Sequence, residues 1–346
     1  MFALTRQDTA VMKGIAICAM LCHHLYGFPP EGVEPYTGVL AWLGVLGKVC
    51  VALFLFCSGY GLAPNYAPIS IKDDLKFIVR RLVKFYLNYW VIFLIFVPIT
   101  IFAFHRPLSA AYGEEYVWGH FVLDIFGLQG WNSYNITWWF NTLIIILYLL
   151  FPLLYRAIRW KPWFAIIIGM IVMRLYTCVP FDNLDVCLWQ FPFILGIVWK
   201  LYENKRVHVQ EWLAGHKAIA VIASICLLIA TVIIRMYAII PHWSGMRIDG
   251  FIACAVALSV ITILRSSKYL MSTFAFLGKH SMNIYMTHTF INAYWFDGWL
   301  HSGEWMRGGS NFAILLAICV ILSMGLECLK EKLGIYKLMM DIISRI

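Results

Sequence analysis

The sequence predicts an all-α fold: a polytopic integral-membrane bundle of about ten transmembrane helices with both termini in the cytoplasm. Three observations carry that expectation. Of 346 residues, 62% are hydrophobic and 13% charged, and the mean hydropathy of +0.77 exceeds what a soluble domain of this length reaches. Apolar stretches of about 20 residues, the helix length that crosses ~30 Å of hydrocarbon, recur near 11–28, 38–63, 82–104, 137–156, 162–180, 186–203, 217–239, 247–264, 270–296 and 311–329. Basic residues alternate in density from one connecting loop to the next, and that alternation sets orientation. The whole of 1–346 is expected to form one integral-membrane domain without an appended soluble one.

The charge count is one-sided. Arg6, Lys13, Lys72, Lys76, Arg80, Arg81, Lys84, Arg156, Arg159, Lys161, Lys200, Lys205, Arg206, Lys217, Arg265, Lys268, Lys330, Lys332, Lys337 and Arg345 make 20 basic residues on one side. Arg106, Arg174, Arg235, Arg247 and Arg307 are at most five on the other. The net charge of +9 is then a cytoplasmic face lying against anionic lipid, and no nucleic-acid partner is needed to explain it.

The first span contains His23 and His24. An ionisable group there costs roughly 2.5–3.5 kcal/mol at the bilayer centre, which marks it as a functional candidate. The span ends in His-His-Leu-Tyr-Gly-Phe-Pro rather than a small-x-small cleavage site, so it is read as a retained helix and not a signal peptide. Lys13 and His24 are eleven residues apart, three turns plus about 20°, so both leave one helix face about 16 Å apart along the axis. A cation at the inner end could hold an anionic group while the imidazole works on something arriving from outside. A snorkelling anchor lysine and a packing histidine would give the same pattern.

The second span carries Lys48 in its middle, where it needs water or a partner, and ends in Phe54-Leu55-Phe56-Cys57-Ser58-Gly59-Tyr60-Gly61. Small residues there allow close backbone approach. The densest basic cluster follows, Lys72 to Lys84, including Arg80 and Arg81, whose guanidinium forks suit phosphate. Helix packing and positive-inside charge are the plainer alternatives. The outward segment 105–136 holds Arg106, Glu114, Glu115, Trp118, His120, Asp124 and Trp131. It is too mixed to span and is expected to lie as an amphipathic or re-entrant lid over an outer cavity. Trp131, Trp138 and Trp139 could stack on sugar rings or belong to an interfacial aromatic belt.

Ten cysteines show no CxxC or Cys/His zinc spacing, and most sit inside spans as small hydrophobes. Cys178 and Cys187 flank an outward loop and are the pair placed for a disulfide. In the ninth span Ser281, Tyr285 and His288 fall at i, i+4 and i+7, one polar stripe. Both the first and ninth spans run from inside to outside, so His24 and His288 reach similar depths. Two imidazoles at matched depth suggest a shared cavity and general acid/base chemistry. A metal pair is the weaker reading, since no carboxylate stands at ligand-like spacing beside either histidine.

Five of these pieces occur in the order found in a known family. Lys13-Gly14-Ile15-Ala16 with His23-His24, Leu53 to Tyr60, Arg80-Arg81, Trp138-Trp139-Phe140-Asn141-Thr142-Leu143, and Leu277 to His288 resemble the acyltransferase-3 family of integral-membrane O-acyltransferases, which acylate bacterial cell-envelope sugars. The resemblance covers essentially the whole chain. It implies a bacterial cytoplasmic membrane location and acyl-CoA, usually acetyl-CoA, as a donor substrate bound from the cytoplasm, with no permanently bound cofactor and no metal. The acceptor would be a hydroxyl of an exported polysaccharide or lipid-linked sugar, as in exopolysaccharide O-acetylation.

By the same resemblance the catalytic set is His24, His288, Lys13 and His23. Acyl-CoA would be held by Arg80, Arg81, Lys84, Lys48, Ser58, Gly59 and Tyr60. The acceptor would meet Trp138, Trp139, Asn141, Ser281 and Tyr285. Lys13 stands where the family usually has arginine, which keeps a cation and loses the bidentate fork. Lys84-Phe85-Tyr86-Leu87-Asn88 lacks the proline often found after the paired arginines. A proton-coupled transporter of small molecules or carbohydrates is the alternative from another class, with Lys48, His24 and His288 as the relay. Against it, no internal repeat is evident. A non-catalytic assembly partner is a third reading. The acceptor, the acyl group and the oligomeric state are not encoded in any motif.

Overall fold

A computed structural model describes residues 3–30, 32–67, 70–175, 185–206, 211–212, 215–239, 248–303 and 309–346. It is all-helical, with 85% helix and no strand among the described residues. The α-helices are α1 (Arg6–Tyr26), α2 (Gly38–Gly47), α3 (Cys50–Leu62), α4 (Ile71–Phe102), α5 (Ser109–Tyr112), α6 (Val117–Ile125), α7 (Trp139–Trp160), α8 (Pro162–Leu175), α9 (Asp185–Tyr202), α10 (Lys217–Ile239), α11 (Asp249–Leu264), α12 (Lys268–Lys279), α13 (Ser281–Thr289), α14 (Asp297–Leu300), α15 (Asn311–Lys332) and α16 (Ile335–Arg345).

Local chemistry sets the starts. At α1, Thr5 and Asp8 cap each other: the Asp8 N–H donates to Thr5 Oγ1 at 3.1 Å and the Thr5 N–H to Asp8 Oδ2 at 2.8 Å. Ser70 and Asp73 form the same reciprocal box at α4. Each satisfies donors that a helix start leaves open.

Among the described residues, six segments are long and apolar enough to cross a membrane: Arg6–Tyr26, Gly38–Leu62, Ile71–Phe102, Ile136–Trp160, Lys217–Tyr237 and Asn311–Lys332. The expected count of ten is larger, because a hydropathy window adds apolar residues across helix ends. The expected span 270–296 contains one: α12 is capped at His280, α13 restarts at Ser281, and a π-helical turn covers Phe290–Trp295. The span 247–264 is a 16-residue helix. The 18-residue α9 reaches the length but not the apolarity of the six. The end of the span 162–180 lies outside the described residues, as do Cys178, Arg247 and Arg307.

The chain divides into two compact units, Met1–His23 with Trp42–Ala67 and Phe151–Ser281, and His24–Ala41 with Pro68–Leu150 and Met282–Ile346. In the first unit, two helix crossings are closed by reciprocal glycines. A Cβ on Gly59 of α3 would lie 2.1 Å from the Phe193 carbonyl oxygen, and one on Gly196 of α9 would lie 2.2 Å from that of Phe56. Likewise a Cβ on Gly14 of α1 would meet the Phe274 oxygen at 2.0 Å, and one on Gly278 of α12 the Ala10 oxygen at 1.8 Å. Hydrocarbon gives apolar side chains no incentive to associate, so close backbone contact supplies the attraction instead. A buried ion pair joins α10 to α11. Arg235 grips Asp249 through Nε at 2.7 Å and a terminal nitrogen at 2.9 Å, while its other terminal nitrogen donates to the Val45 carbonyl at 2.9 Å.

The second unit is held by polar side chains. Three residues of α4 hold the carbonyls at the end of α6: Tyr89 on Asp124 at 2.5 Å, Trp90 on Ile125 at 2.8 Å and Tyr86 on Phe126 at 3.0 Å. Lys330 of α15 is fully buried. Its Nζ donates to Asn88 Oδ1 at 2.8 Å and Asn283 Oδ1 at 2.6 Å, and it faces Glu327 at 3.5 Å. Glu327 in turn accepts from Asn283 and from Tyr336 of α16. A buried ammonium persists only where acceptors replace its water, and here three helices supply them.

Candidate active site

In the second unit the rings of His24 and His288 lie 5.0 Å apart, centroid to centroid, at 51°. His24 is half-buried on α1, with Phe28 stacked at 6.1 Å on its other flank. His288 is wholly buried on α13. Its Nδ1 is 2.8 Å from the Tyr285 carbonyl oxygen and 3.2 Å from that of Ile284. A carbonyl oxygen can only accept, so Nδ1 carries a proton.

Nε2 lies 3.2 Å from Thr289 Oγ1, which lies 3.0 Å from Thr137 Oγ1. Asn135 Oδ1 accepts from both the N–H and the hydroxyl of Thr137, at 3.0 Å and 2.7 Å, and so fixes the 3-10 turn Ile136–Trp138. Asn292 Nδ2 reaches the His24 carbonyl at 3.4 Å. Directly after Thr289 the backbone widens into the π-turn, a distortion frequent at functional sites. Sequence reasoning missed Asn135, Thr137, Thr289 and Asn292. The signal was present as two short polar runs, Asn135-Ile136-Thr137 and Thr287-His288-Thr289, read as flanks of aromatic and histidine motifs.

The other expected catalytic residues belong to the first unit. Lys13 is half-buried on α1, near enough to Cys57 of α3 for its charge to act on that thiol. His23 is buried and its Nδ1 sits 2.7 Å from the Gly44 carbonyl, while Gly47 of α2 packs against its backbone. This is a helix-packing contact.

The residues expected to hold acyl-CoA divide similarly. Arg80 and Lys84 are exposed and Arg81 is half-buried on α4. The three are close enough to repel one another, and Arg81 rests over the Phe77 ring at 5.2 Å. Together they form a basic face on α4. In the first unit, Lys48 sits in a two-residue turn that interrupts the second span and adds its charge beside the Arg235–Asp249 pair. Ser58 Oγ bonds back to the Phe54 carbonyl at 2.8 Å, and Gly59 is taken up by the crossing with α9. Tyr60 is buried, donating to Glu203 at 2.5 Å and accepting from the Leu4 N–H at 2.9 Å. Gly59 and Tyr60 therefore serve packing.

Among the expected acceptor residues, Trp138 is fully buried, with its Nε1 on the Met286 carbonyl at 3.1 Å. Trp139 stacks on Trp131 at 4.6 Å and 14°, so each ring already covers one face of the other. Asn141 is buried, and its Oδ1 is 3.1 Å from the Tyr285 hydroxyl, which also lies 2.9 Å from the Thr137 carbonyl. The polar stripe of α13 is therefore tied to the turn before α7. Ser281, at the head of that stripe, is buried at the end of the first unit.

Six membrane-length helices among the described residues define an integral-membrane protein, and one of its units holds a pair of histidine rings, one half-buried and one buried. The chain belongs to the acyltransferase-3 family: the profile of that family, Acyl_transf_3, described as an acyltransferase domain, matches residues 10–328. It is a multi-pass membrane acyltransferase. No curated protein and no solved structure matches it.

Proposed function

We propose that this acyltransferase moves an acyl group, acetyl before others, from cytoplasmic acyl-CoA to a hydroxyl of an exported polysaccharide or lipid-linked sugar, across a bacterial cytoplasmic membrane. The observation that carries the reading is the histidine pair, His24 half-open beside buried His288 at 5.0 Å. His24 takes the proton of the acceptor hydroxyl as its oxygen attacks the thioester carbonyl. The new C–O bond forms, the C–S bond breaks, and the same proton passes to the departing thiolate. The basic face of Arg80, Arg81 and Lys84 supplies cations for the phosphates of CoA. The exposed ring of Trp131, backed by buried Trp139, is the surface offered to sugar rings.

Purified protein in liposomes, given acetyl-CoA labelled in its acetyl group, is expected to release free CoA thiol. With a membrane extract of the source cells, the label is expected to enter a sugar-containing product. Thioester left intact under every acceptor tried, together with sugar accumulation in vesicles lacking acyl-CoA, would replace this reading with transport.

A further inference from the structure

Arg106 carries its charge differently from the arginines that the fold places in ion pairs. Arg235 grips Asp249 and Arg265 grips Asp8. Arg106, half-buried just after α4, has no carboxylate partner among the described residues. Two aromatic rings flank it instead. Its Cζ lies 4.5 Å from the centre of the Tyr134 ring and 4.1 Å from that of Tyr294. Nη1 donates to the Tyr134 carbonyl at 2.8 Å, the only hydrogen bond of the guanidinium among the described residues.

The backbone fixes this placement. His105 takes the left-handed conformation at φ 51°, turning the chain so that the Arg106 N–H donates to the Thr100 carbonyl at 3.1 Å and closes the end of α4. The Tyr134 hydroxyl donates to the Arg106 carbonyl at 2.7 Å. The Ile136 N–H donates to the Tyr294 hydroxyl at 3.1 Å, which ties one ring of the clamp to the segment that carries the other. Both segments also frame the histidine pair. Tyr134 lies just before Thr137, whose hydroxyl is 3.0 Å from that of Thr289 beside His288, and Tyr294 stands in the π-turn that begins directly after Thr289.

A guanidinium has five N–H donors in one plane. With one spent on Tyr134, those left have the geometry that grips two oxygens of a carboxylate or phosphate in parallel. The tyrosine rings displace water from the cation without neutralising it, which strengthens its pull on an anion. We propose that Arg106 is an oxyanion-binding site for the acceptor: it takes a phosphate or carboxylate carried by the saccharide whose hydroxyl is acylated, and so selects charged over neutral sugars. The proposal rests on the acyl-transfer reading for the word acceptor, but not for the anion site itself. In that reading the acceptor arrives from the side opposite the cytoplasm, where the count of basic residues assigns Arg106.

The test uses the full-length protein in phosphatidylcholine nanodiscs, titrated with glucose 1-phosphate, glucuronate, glucose, glycerol 3-phosphate, acetate and inorganic phosphate. Wild type is expected to bind at least one of the two charged sugars about tenfold or more tightly than glucose, the worth of a hydrogen bond to a charged group. Arg106→Gln should lose that preference. Arg106→Lys, which keeps the charge without the fork, should lose most of it. In turnover with acetyl-CoA, the same charged sugar should be the better acceptor for wild type through a lower KM, and the advantage should shrink in Arg106→Lys. If neither variant yields monodisperse protein, the comparison of probes on wild type decides.

Glucose bound as tightly as both charged sugars overturns the proposal, as does Arg106→Gln with the wild-type preference. Inorganic phosphate, acetate or glycerol 3-phosphate bound as tightly as the charged sugars would assign the site to a free ion or a lipid headgroup, and overturns it too. Charged sugars that bind as expected while no thioester is consumed overturn the acyl-transfer reading and leave the anion site standing.

Discussion

The two units weight the means of holding helices together differently, the first adding glycine crossings to its buried Arg235–Asp249 pair. The first brings backbones into contact at Gly14, Gly59, Gly196 and Gly278, each placed so that a single added carbon would sit about 2 Å from a carbonyl oxygen. The second crosses its helices with side-chain hydrogen bonds, at Lys330, Asn283 and Asn88, at Asp124 and Tyr112, and at Thr137, Thr289 and His288. Close backbone packing leaves no room for chemistry. Side-chain hydrogen bonding requires polar groups in a membrane, at a desolvation cost of a few kcal/mol for each that lacks a partner. The histidine pair lies in the unit that carries these polar crossings.

If the first unit depends on contact rather than on residue type, adding bulk there should cost most. Gly278→Val is expected to abolish monodisperse protein in detergent, since overpacking a rigid crossing costs about 3 kcal/mol or more. Gly325→Ala, where an added Cβ meets nothing within 4 Å, should purify as wild type. Equal yields of the two would show that the crossings are looser than described. In the second unit, Lys330→Met should lower thermal stability by an amount equivalent to about 2–4 kcal/mol, because two amide oxygens and Glu327 lose their buried donor. An unchanged melting profile would remove that network from the account.

A smaller effect concerns the segment between α4 and α7. Burial pushes the Asp124 carboxyl up to about 6, against the lowering effect of its bonds from the Tyr134 N–H and Tyr112 hydroxyl at 2.6 Å and 2.7 Å. Its unfolded value is about 3.9, so the folded segment binds the extra proton between those values. Its stability is then greatest at low pH and falls as pH rises toward 6. Hydrogen exchange across residues 109–136, corrected for intrinsic rates, should be slower at about pH 5 than at about pH 7.5, and Asp124→Asn should remove the difference. Faster exchange at the lower pH would contradict the assigned cause.

Much of the site could be read before any coordinates. Matching the depth of His24 to that of His288 required only two spans of the same direction, and the rings do meet. The i, i+4, i+7 stripe grouped Ser281, Tyr285 and His288; the Tyr285 hydroxyl reaches the Thr137 carbonyl, the His288 ring reaches Thr289, and Ser281 ends the first unit. What could not be read depends on facts that one-dimensional periodicity lacks. Whether Gly59 lines an entry or closes a crossing depends on what faces it, and Phe193, 134 positions away, is not adjacent in any pattern. The break at His280 is invisible to a window that averages over it. The threonine pair depends on a contact of 3.0 Å between residues 152 apart. Tyr60 was expected to hold acyl-CoA, and its buried hydroxyl is bonded to Glu203 and Leu4.

The most direct measurement compares two adjacent residues. His23 and His24 share sequence, depth and chemistry, and differ in that His23 meets the Gly44 carbonyl while His24 meets His288. With both variants folded in liposomes, His24→Ala is expected to lose at least about 100-fold in acetyl-CoA consumption, the usual worth of a positioned base. His23→Ala should lose stability before it loses rate. Full activity in folded His24→Ala, or a selective loss of rate in His23→Ala, would contradict the assignment of the histidine pair as the acyl-transfer centre.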